Sequence, residues 1–165
     1  MTVEITRDLP PALVPVAWLL GTWEGAGVGG YPTIDSFNFG QEIVFSHVGK
    51  PVLQYSSRSW LLDDDGNRVR ALASEDGFWR PMADGSIEVT MAHPTGFAEI
   101  WVGDVSGAKV EMRTDVVVRT ASAKDYSAGH RLYGMVEGDL FWVFDMAAMG
   151  VPIQSHLSAR LKRVA

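Results

Sequence analysis

The chain alternates apolar and polar residues over most of its length, and short turn sequences interrupt this alternation at regular intervals. Segments of this period that are rich in Val, Ile, Thr, Phe, Trp and Tyr are typical of β-strands. A short helix is predicted before them over 12–20, with Pro15 in its first turn, where a missing N–H is tolerated. The pattern predicts ten strands, near residues 21–30, 36–48, 51–62, 68–80, 86–93, 97–104, 109–119, 126–136, 140–148 and 153–164.

The sequences between the predicted strands are short and rich in Asp, Asn and Gly, as in 63–67, 83–85 and 137–139. Strands joined by such turns run antiparallel. Ten of them in succession predict an all-β fold, a ten-stranded antiparallel up-and-down β-barrel of the lipocalin or fatty-acid-binding kind. Closure removes the exposed sheet edges and leaves room for one ligand. We expect a single domain over 1–165, with the N-terminal helix as a lid.

Composition narrows the classes of function. The net charge of −6 gives no electrostatic footprint for nucleic acid or an anionic membrane, and the absence of cysteine excludes disulfides, thiolate metal sites and cysteine nucleophiles. The N-terminus lacks the basic start of a signal peptide, and no apolar run reaches the roughly 18 residues of a membrane helix. The acidic residues show no pairing that indicates glycosidase chemistry. These features predict a cytoplasmic protein with neither nucleic acid nor membrane as a partner.

The stretch from Gly25 to Gly30 matches G-x-G-x-x-G, the fingerprint of a dinucleotide-binding loop. Such a loop needs a helix that begins at its last glycines, so that backbone N–H groups meet the pyrophosphate. Here Pro32 disfavours helix at Tyr31, and a strand pattern follows. Glycines at alternate strand positions instead permit a sharply coiled strand, or close approach of a ligand or another backbone.

The same glycines belong to LLGTWEGAGVGGYPTI, which resembles the N-terminal marker of the nitrobindin family, G-x-W-x-G-x-G, through Gly21, Trp23, Gly25 and Gly27. The resemblance continues in FSHVGKPVL (45–53), AHPTGFAEI (92–100), SAKDY (122–126) and VPIQSHLSARLKR (151–163), so it covers nearly the whole chain. It implies a ten-stranded antiparallel barrel with one haem b per subunit. The oligomeric state is not settled by the sequence, and a homodimer stays open.

The resemblance implies that His156, in QSHLSARL, is the axial ligand of the haem iron and the catalytic residue. One imidazole is sufficient because the porphyrin supplies the other four nitrogens. Strand alternation, however, predicts that His156 lies on the outer face, with Leu157, Ala159 and Leu161 on the inner one. A bulge that shifts the register, or a lid over the outer face, would resolve this conflict.

The other histidines, at positions 47, 93 and 130, have no spacing typical of a zinc site, and their roles stay open. Lys124 matches the family's haem-contacting lysine and would receive a propionate; its alternative role is that of a solvated loop residue. Thr33 and Ile34 fit the family's distal wall, and the alternative for both is ordinary strand packing.

The activity implied by the resemblance is that of a ferric haem b enzyme that isomerises peroxynitrite to nitrate, with nitric oxide also binding at the iron. Two alternatives of another class are open: a non-catalytic barrel that stores or senses nitric oxide on haem, and a barrel that carries an apolar ligand. His156 argues against the carrier, because an apolar cavity has no need of an imidazole ligand.

Overall fold

The computed structural model describes residues 8–165 as one short helix, Pro11–Leu19, followed by ten strands. Residues 1–7 lie outside the described residues. They include the N-terminal start that was compared with a signal peptide and the first residues of the predicted 1–165 domain, so the single domain stays a prediction. Within residues 8–165, no helix is long and apolar enough to cross a membrane. The strands are β1 Gly21–Tyr31, β2 Ile34–Ser46, β3 Leu53–Leu62, β4 Arg68–Pro81, β5 Ser86–His93, β6 Phe97–Val105, β7 Lys109–Arg119, β8 Tyr126–Val136, β9 Asp139–Ala148 and β10 Val151–Arg163.

Every strand pairs antiparallel with its neighbour in the chain, and β1 pairs with β10 to close the sheet into a barrel. The predicted ten-stranded antiparallel barrel is therefore confirmed, with strand ends that differ from the predicted ones by a few residues. The connections alternate between the two ends of the barrel. We call the end that carries the β1–β2, β3–β4, β5–β6, β7–β8 and β9–β10 connections the upper end, and the opposite end the lower end.

The N-terminal helix is a 3-10 helix that packs at the lower end. It buries Leu13, Val16 and Leu19 completely, and Leu19 accepts a 2.8 Å hydrogen bond from the indole N–H of the buried Trp23. The predicted position of Pro15 in the first turn is wrong: the helix begins at Pro11, and Pro15 lies inside it. The lid thus closes one end of the barrel, and among residues 8–165 no helix covers the upper end.

The glycines of β1 let this strand pack very closely against both of its neighbours. A Cβ atom added at Gly27 would lie 2.5 Å from the ring of Phe39 and 2.8 Å from the Cβ of Ala159. At Gly29 it would lie 2.8 Å from a methyl group of Leu157. Because β1 leads directly into the β2 hairpin, the glycines allow close approach of strands and do not form a nucleotide loop.

The lower half of the barrel is filled by aromatic side chains. The indole of Trp79 lies 4.9 Å from the rings of Phe45 and Tyr133 and 5.5 Å from that of Tyr55, measured between centroids. Tyr133 in turn stacks on Trp142 at 5.6 Å. Aromatic contacts of this kind stabilise a core beyond their apolar area. Within the described part of the chain, the interior therefore has space for a ligand towards the upper end.

A buried ion pair lies at the centre of the barrel. The guanidinium of Arg131, only 2% exposed, donates to both oxygens of Glu75 at 2.6 and 3.0 Å, and Tyr55 donates to the same carboxylate at 2.5 Å. Burial alone would raise the pKa of Glu75, but the charge and hydrogen bonds of Arg131, with His93 and Tyr55, lower it to about 2. Glu75 is therefore a carboxylate at neutral pH.

His93 extends this network towards the upper end. Its Nε2 lies 2.5 Å from Glu99, its Nδ1 lies 3.7 Å from Glu75, and Glu99 also accepts a 2.5 Å hydrogen bond from Tyr126. Burial, with the charge and hydrogen bond of Glu99, raises the pKa of the Tyr126 hydroxyl, so the phenol stays a donor. The network therefore occupies the β4–β8 side of the barrel.

Two of the other histidines, His130 and His47, lie away from the interior. His130 contacts Glu111 at 3.0 Å, and His47 accepts a 3.1 Å hydrogen bond from the backbone of Gly49 in the β2–β3 turn at the lower end. The roles that the sequence left open are therefore a surface contact for His130 and a turn contact for His47.

Replacing Gly27 by Ala tests the close packing of β1. We expect a loss of about 1–3 kcal/mol in the free energy of unfolding, because the new methyl group overlaps Phe39 and the Ser158 carbonyl. Gly134→Ala is the matched control, since its added Cβ meets no atom closer than 3.8 Å, and it should change stability by less than about 0.5 kcal/mol. Urea unfolding of both variants measures the difference. Equal stabilities would contradict the packing argument.

Replacing Glu75 by Gln tests the ion pair. Arg131 would be left as a buried, unbalanced charge, with an expected loss of roughly 3 kcal/mol at pH 7. The folded pKa of Glu75, about 2, lies below its ordinary value of 4.5, so its ionisation stabilises the native state above pH 4.5. That contribution is lost as the pH falls from 4.5 towards 2.

Urea unfolding at a series of pH values from 7 to 2 checks this expectation. The wild type should lose stability through that acid window more steeply than Glu75→Gln. The control is Glu88→Gln, which breaks an exposed pair with Arg80 and should cost no more than about 1 kcal/mol. If Glu75→Gln matched this control at pH 7, the ion pair would not have the role assigned to it.

Candidate functional site

A cavity of about 480 Å³ lies in the upper half of the barrel, on the side that the charged network leaves free. Its volume is within the range of small-molecule and cofactor sites. It reaches the upper end at the start of β2 and at the β7–β8 connection. Its apolar lining consists of Ile34, Phe37, Phe39, Leu61, Leu72, Ala73, Trp142 and Leu157. Its polar lining consists of Asp35, Ser36, Gln41, Ser57, Ser59, Arg70, Glu75, Lys124 and His156.

His156 reaches this cavity because β10 contains a bulge. Ser155 pairs with Asp145 and Leu157 pairs with Phe144, so His156 is an extra residue without a partner on β9. A bulge turns two successive side chains towards one face, and both His156 and Leu157 line the cavity. The outward orientation predicted from strand alternation is therefore wrong, and a bulge is the reason.

The imidazole of His156 has a defined orientation. Its Nδ1 lies 2.9 Å from the carbonyl oxygen of Gly30, which can only accept, so Nδ1 carries the proton. The edges of Tyr31 and Phe144 hold the ring, with centroids at 5.5 and 5.7 Å. Among residues 8–165, Nε2 has no hydrogen-bond partner. One nitrogen is thus fixed by the backbone and the other has a free lone pair.

His156 is also neutral at physiological pH. Burial lowers its pKa below 6.5, the charges of Lys124 and Arg131 act in the same direction, and the hydrogen bond to Gly30 opposes them. Neutral imidazole is the form that binds a metal ion. A backbone carbonyl that accepts from the other ring nitrogen is a common arrangement at metal-bound histidines, where it orients the ring and raises its basicity.

Lys124 follows β7 and lies at the wall of the cavity. Its ammonium nitrogen is 3.8 Å from the sulfur of Met146, and within residues 8–165 no carboxylate comes within 4 Å of it. Partial burial lowers its pKa, while the charge of Glu99 opposes the shift. The lysine therefore contributes an unneutralised positive charge to the site. Its contact with a haem propionate stays a prediction.

The structure separates the two residues assigned to the distal wall. Ile34, at the first position of β2, lines the cavity with half of its side chain exposed. Thr33 lies in the turn before it, exposed to solvent, and is not one of the residues that line the cavity. Ile34 is thus placed for contact with a ligand. The assignment of both residues to a distal wall stays a prediction.

The floor of the cavity carries a polar chain that the sequence prediction did not include. Trp142 donates to Gln41 at 2.8 Å, and Gln41 donates to Ser57 at 2.9 Å. Gln41 is 3% exposed and interrupts the apolar inner face of β2, between Phe39 and Ile43. The sequence signal that could have identified this chain of hydrogen bonds was a polar residue, Gln41, at an inward position of an otherwise apolar strand face. Glu75, also in this floor, links it to Arg131.

Taken together, these residues fit a haem. A porphyrin needs apolar walls for its faces, one axial nitrogen for its iron and cations near its propionates. The cavity offers each of these through its aromatic and aliphatic lining, through Nε2 of His156 and through Lys124. Within residues 8–165, no group of three or more His, Asp or Glu side chains could hold a metal ion. One imidazole is sufficient only where another group supplies the remaining ligands of the metal.

Comparison with known proteins gives similar sequences along the whole chain. A protein named peroxynitrite isomerase from Nocardioides sp. is 53% identical over 163 residues, which cover 99% of each chain. A ferric nitrobindin-like protein from Kineococcus radiotolerans is 46% identical over 179 residues, again covering 99% of each. The resemblance to the nitrobindin family is therefore confirmed.

Among solved structures, the crystal structure of Rv2717c from M. tuberculosis is similar at a TM-score of 0.86 and 38% sequence identity. It covers 96% of this chain and 100% of the other. The family model described as THAP4-like, heme-binding beta-barrel domain matches residues 12–163, which include the cavity and the bulge of β10. The chain belongs to this family of heme-binding β-barrels.

Proposed function

We propose that this chain is a ferric haem b protein that isomerises peroxynitrite to nitrate and also binds nitric oxide at the iron. The observation that carries the proposal is the imidazole of His156, which lines the cavity with Nδ1 held by Gly30 and Nε2 free of partners among residues 8–165. The name of the Nocardioides relative, peroxynitrite isomerase, supports the choice of reaction.

The protein's part in this reaction is to hold the cofactor in one orientation. His156 would hold the iron through Nε2, while the carbonyl of Gly30 prevents the ring from rotating. Tyr31 and Phe144 restrict its tilt. Haem held in this way would supply Lewis-acid iron chemistry for the rearrangement of peroxynitrite to nitrate.

The cavity walls control what reaches the reacting atoms. The apolar side chains of β2, β3 and β4, such as Phe37, Leu61 and Leu72, exclude water from the porphyrin faces. Lys124 neutralises a propionate and attracts an anionic substrate towards the upper end. Peroxynitrite and nitrate are isomeric anions, so the reaction needs no net proton, and we assign the free lone pair of His156 to iron.

Replacing His156 by Ala tests cofactor binding. Removal of the axial ligand should lower the affinity of the apo-protein for haemin by more than about 100-fold, because changes to supporting groups alone typically cost 10–100-fold. The measurement is a titration followed by the Soret band in the visible spectrum. His47→Ala is the matched control, since His47 lies in a turn at the lower end, and it should bind haemin as the wild type does.

A wild-type protein that ignores haemin but binds a fatty acid would overturn the proposal in favour of an apolar-ligand carrier. Retention of a normal Soret band by His156→Ala would show that another residue binds the iron.

Stopped-flow mixing of the haem-loaded protein with peroxynitrite tests the reaction itself. We expect decay faster than with the apo-protein and a nitrate yield that rises accordingly, since bound haem would supply a Lewis acid for the rearrangement. Peroxynitrite mixed with the His156→Ala variant should decay at the rate observed with the apo-protein. A change in the Soret band on addition of nitric oxide checks the second ligand. Haem-loaded protein that binds nitric oxide but does not accelerate peroxynitrite decay would leave only storage or sensing.

A further inference from the structure

Arg70 lines the cavity and has no role in the site described above. It lies in the part of β4 that leads away from the β3–β4 connection, at the upper end of the barrel. Its side chain is exposed, as expected of a residue at the mouth of a cavity and not in its floor. It is the second cation of the cavity lining besides Lys124.

A second bulge turns Arg70 inwards. Arg58 pairs with Ser74 and Trp60 pairs with Ala71, so β4 has one residue more than β3 in this interval. Below this bulge the odd-numbered residues of β4, such as Glu75, face the interior. Above it, the pairing of Arg70 with Leu61 places both on the inner face, and both line the cavity. Arg70 thus faces the site for the same structural reason as His156.

Arg70 has no acidic partner among residues 8–165. Its guanidinium makes one long hydrogen bond, 3.4 Å, to the carbonyl of Ala71. In contrast, five other arginines contact a carboxylate within 4 Å, namely Arg58, Arg80, Arg119, Arg131 and Arg160. A guanidinium that faces a cavity without a counter-charge is available for an anionic group of a ligand.

On the basis of the proposed function, we propose that Arg70 binds one propionate of haem and that Lys124 binds the other. A planar guanidinium matches a carboxylate through two parallel hydrogen bonds, which a lysine cannot provide. Leu61 and Leu72 flank Arg70 in the cavity lining, so apolar surface for the porphyrin lies beside the cation for its edge.

The other charges of the lining agree with this assignment. Glu75 is neutralised by Arg131, which leaves Asp35 as the remaining carboxylate of the cavity lining. Asp35 lies one residue after Ile34, on β2, so its charge disfavours a propionate at that strand. The cavity mouth therefore offers the two carboxylates of haem two cations, on β4 and on the β7–β8 connection.

Titration of the apo-protein with haemin and with haemin dimethyl ester tests this proposal. The ester retains iron and porphyrin but has no charged carboxylates. Arg70→Gln should bind haemin about 3- to 30-fold more weakly than the wild type, the range between an exposed ion pair and a charge-assisted hydrogen bond. It should bind the diester as the wild type does. Arg70→Gln combined with Lys124→Gln should lose more haemin affinity than either variant alone.

The matched control is Arg68→Gln, which removes the same charge two residues away on β4. Arg68 stacks on the ring of Trp60 at 3.8 Å and does not line the cavity. The Arg68→Gln variant should therefore bind haemin with the affinity of the wild type. Circular dichroism and urea unfolding check that each variant is folded.

Each outcome has a distinct meaning. If the wild type binds haemin and Arg70→Gln binds it equally well, the role of Arg70 is overturned and the proposed function stands. If Arg70→Gln weakens the binding of haemin and of the diester equally, Arg70 acts through packing and the propionate contact is overturned. If the wild type fails to bind haemin, the proposed function falls and the role of Arg70 falls with it.

Discussion

The contact between the first and the last strand is the interaction on which the rest of this barrel depends. β1 and β10 are distant in sequence, and their pairing converts an open sheet into a closed one. The alternate glycines of β1 permit this contact, because Ala159 and Leu157 occupy the space that side chains at positions 27 and 29 would need. The same contact brings Gly30 to His156. The pairing that closes the sheet therefore also orients the imidazole of His156.

The interior is divided between a packed network of charged and polar side chains and the cavity that His156 lines. The ion pair of Glu75 and Arg131 adds little net stability compared with apolar packing, but it has a strict geometry. Arg131 also lies 4.5 Å from the ring of Phe144, which contacts His156. Since Glu75 belongs to both the network and the cavity lining, the floor of the site is fixed by the core. Rigid support of this kind maintains a cavity that apolar side chains alone would tend to fill.

Much of the fold could be predicted from local sequence, because alternation and turn residues are properties of neighbouring positions. The ten strands and their antiparallel order follow from such signals. The inward orientation of His156 and Arg70 could not be predicted from local sequence. It depends on bulges, and the position of a bulge is set by the pairing register between two strands. The link between Glu75 and Arg131, 56 positions apart, likewise arises only when the barrel closes. The importance of His156 came from the resemblance, and its inward orientation from the structure.

The alternation of connections between the two ends has a consequence for how such barrels diversify. The core and the 3-10 helix stabilise the lower end, whereas the cavity opens at the upper end, near the start of β2 and the β7–β8 connection. Insertions in surface turns cost little free energy. Lengthening one of these turns would narrow or widen the entrance and change which molecules gain access. Selectivity can therefore evolve at the rim while the folding of the domain stays the same.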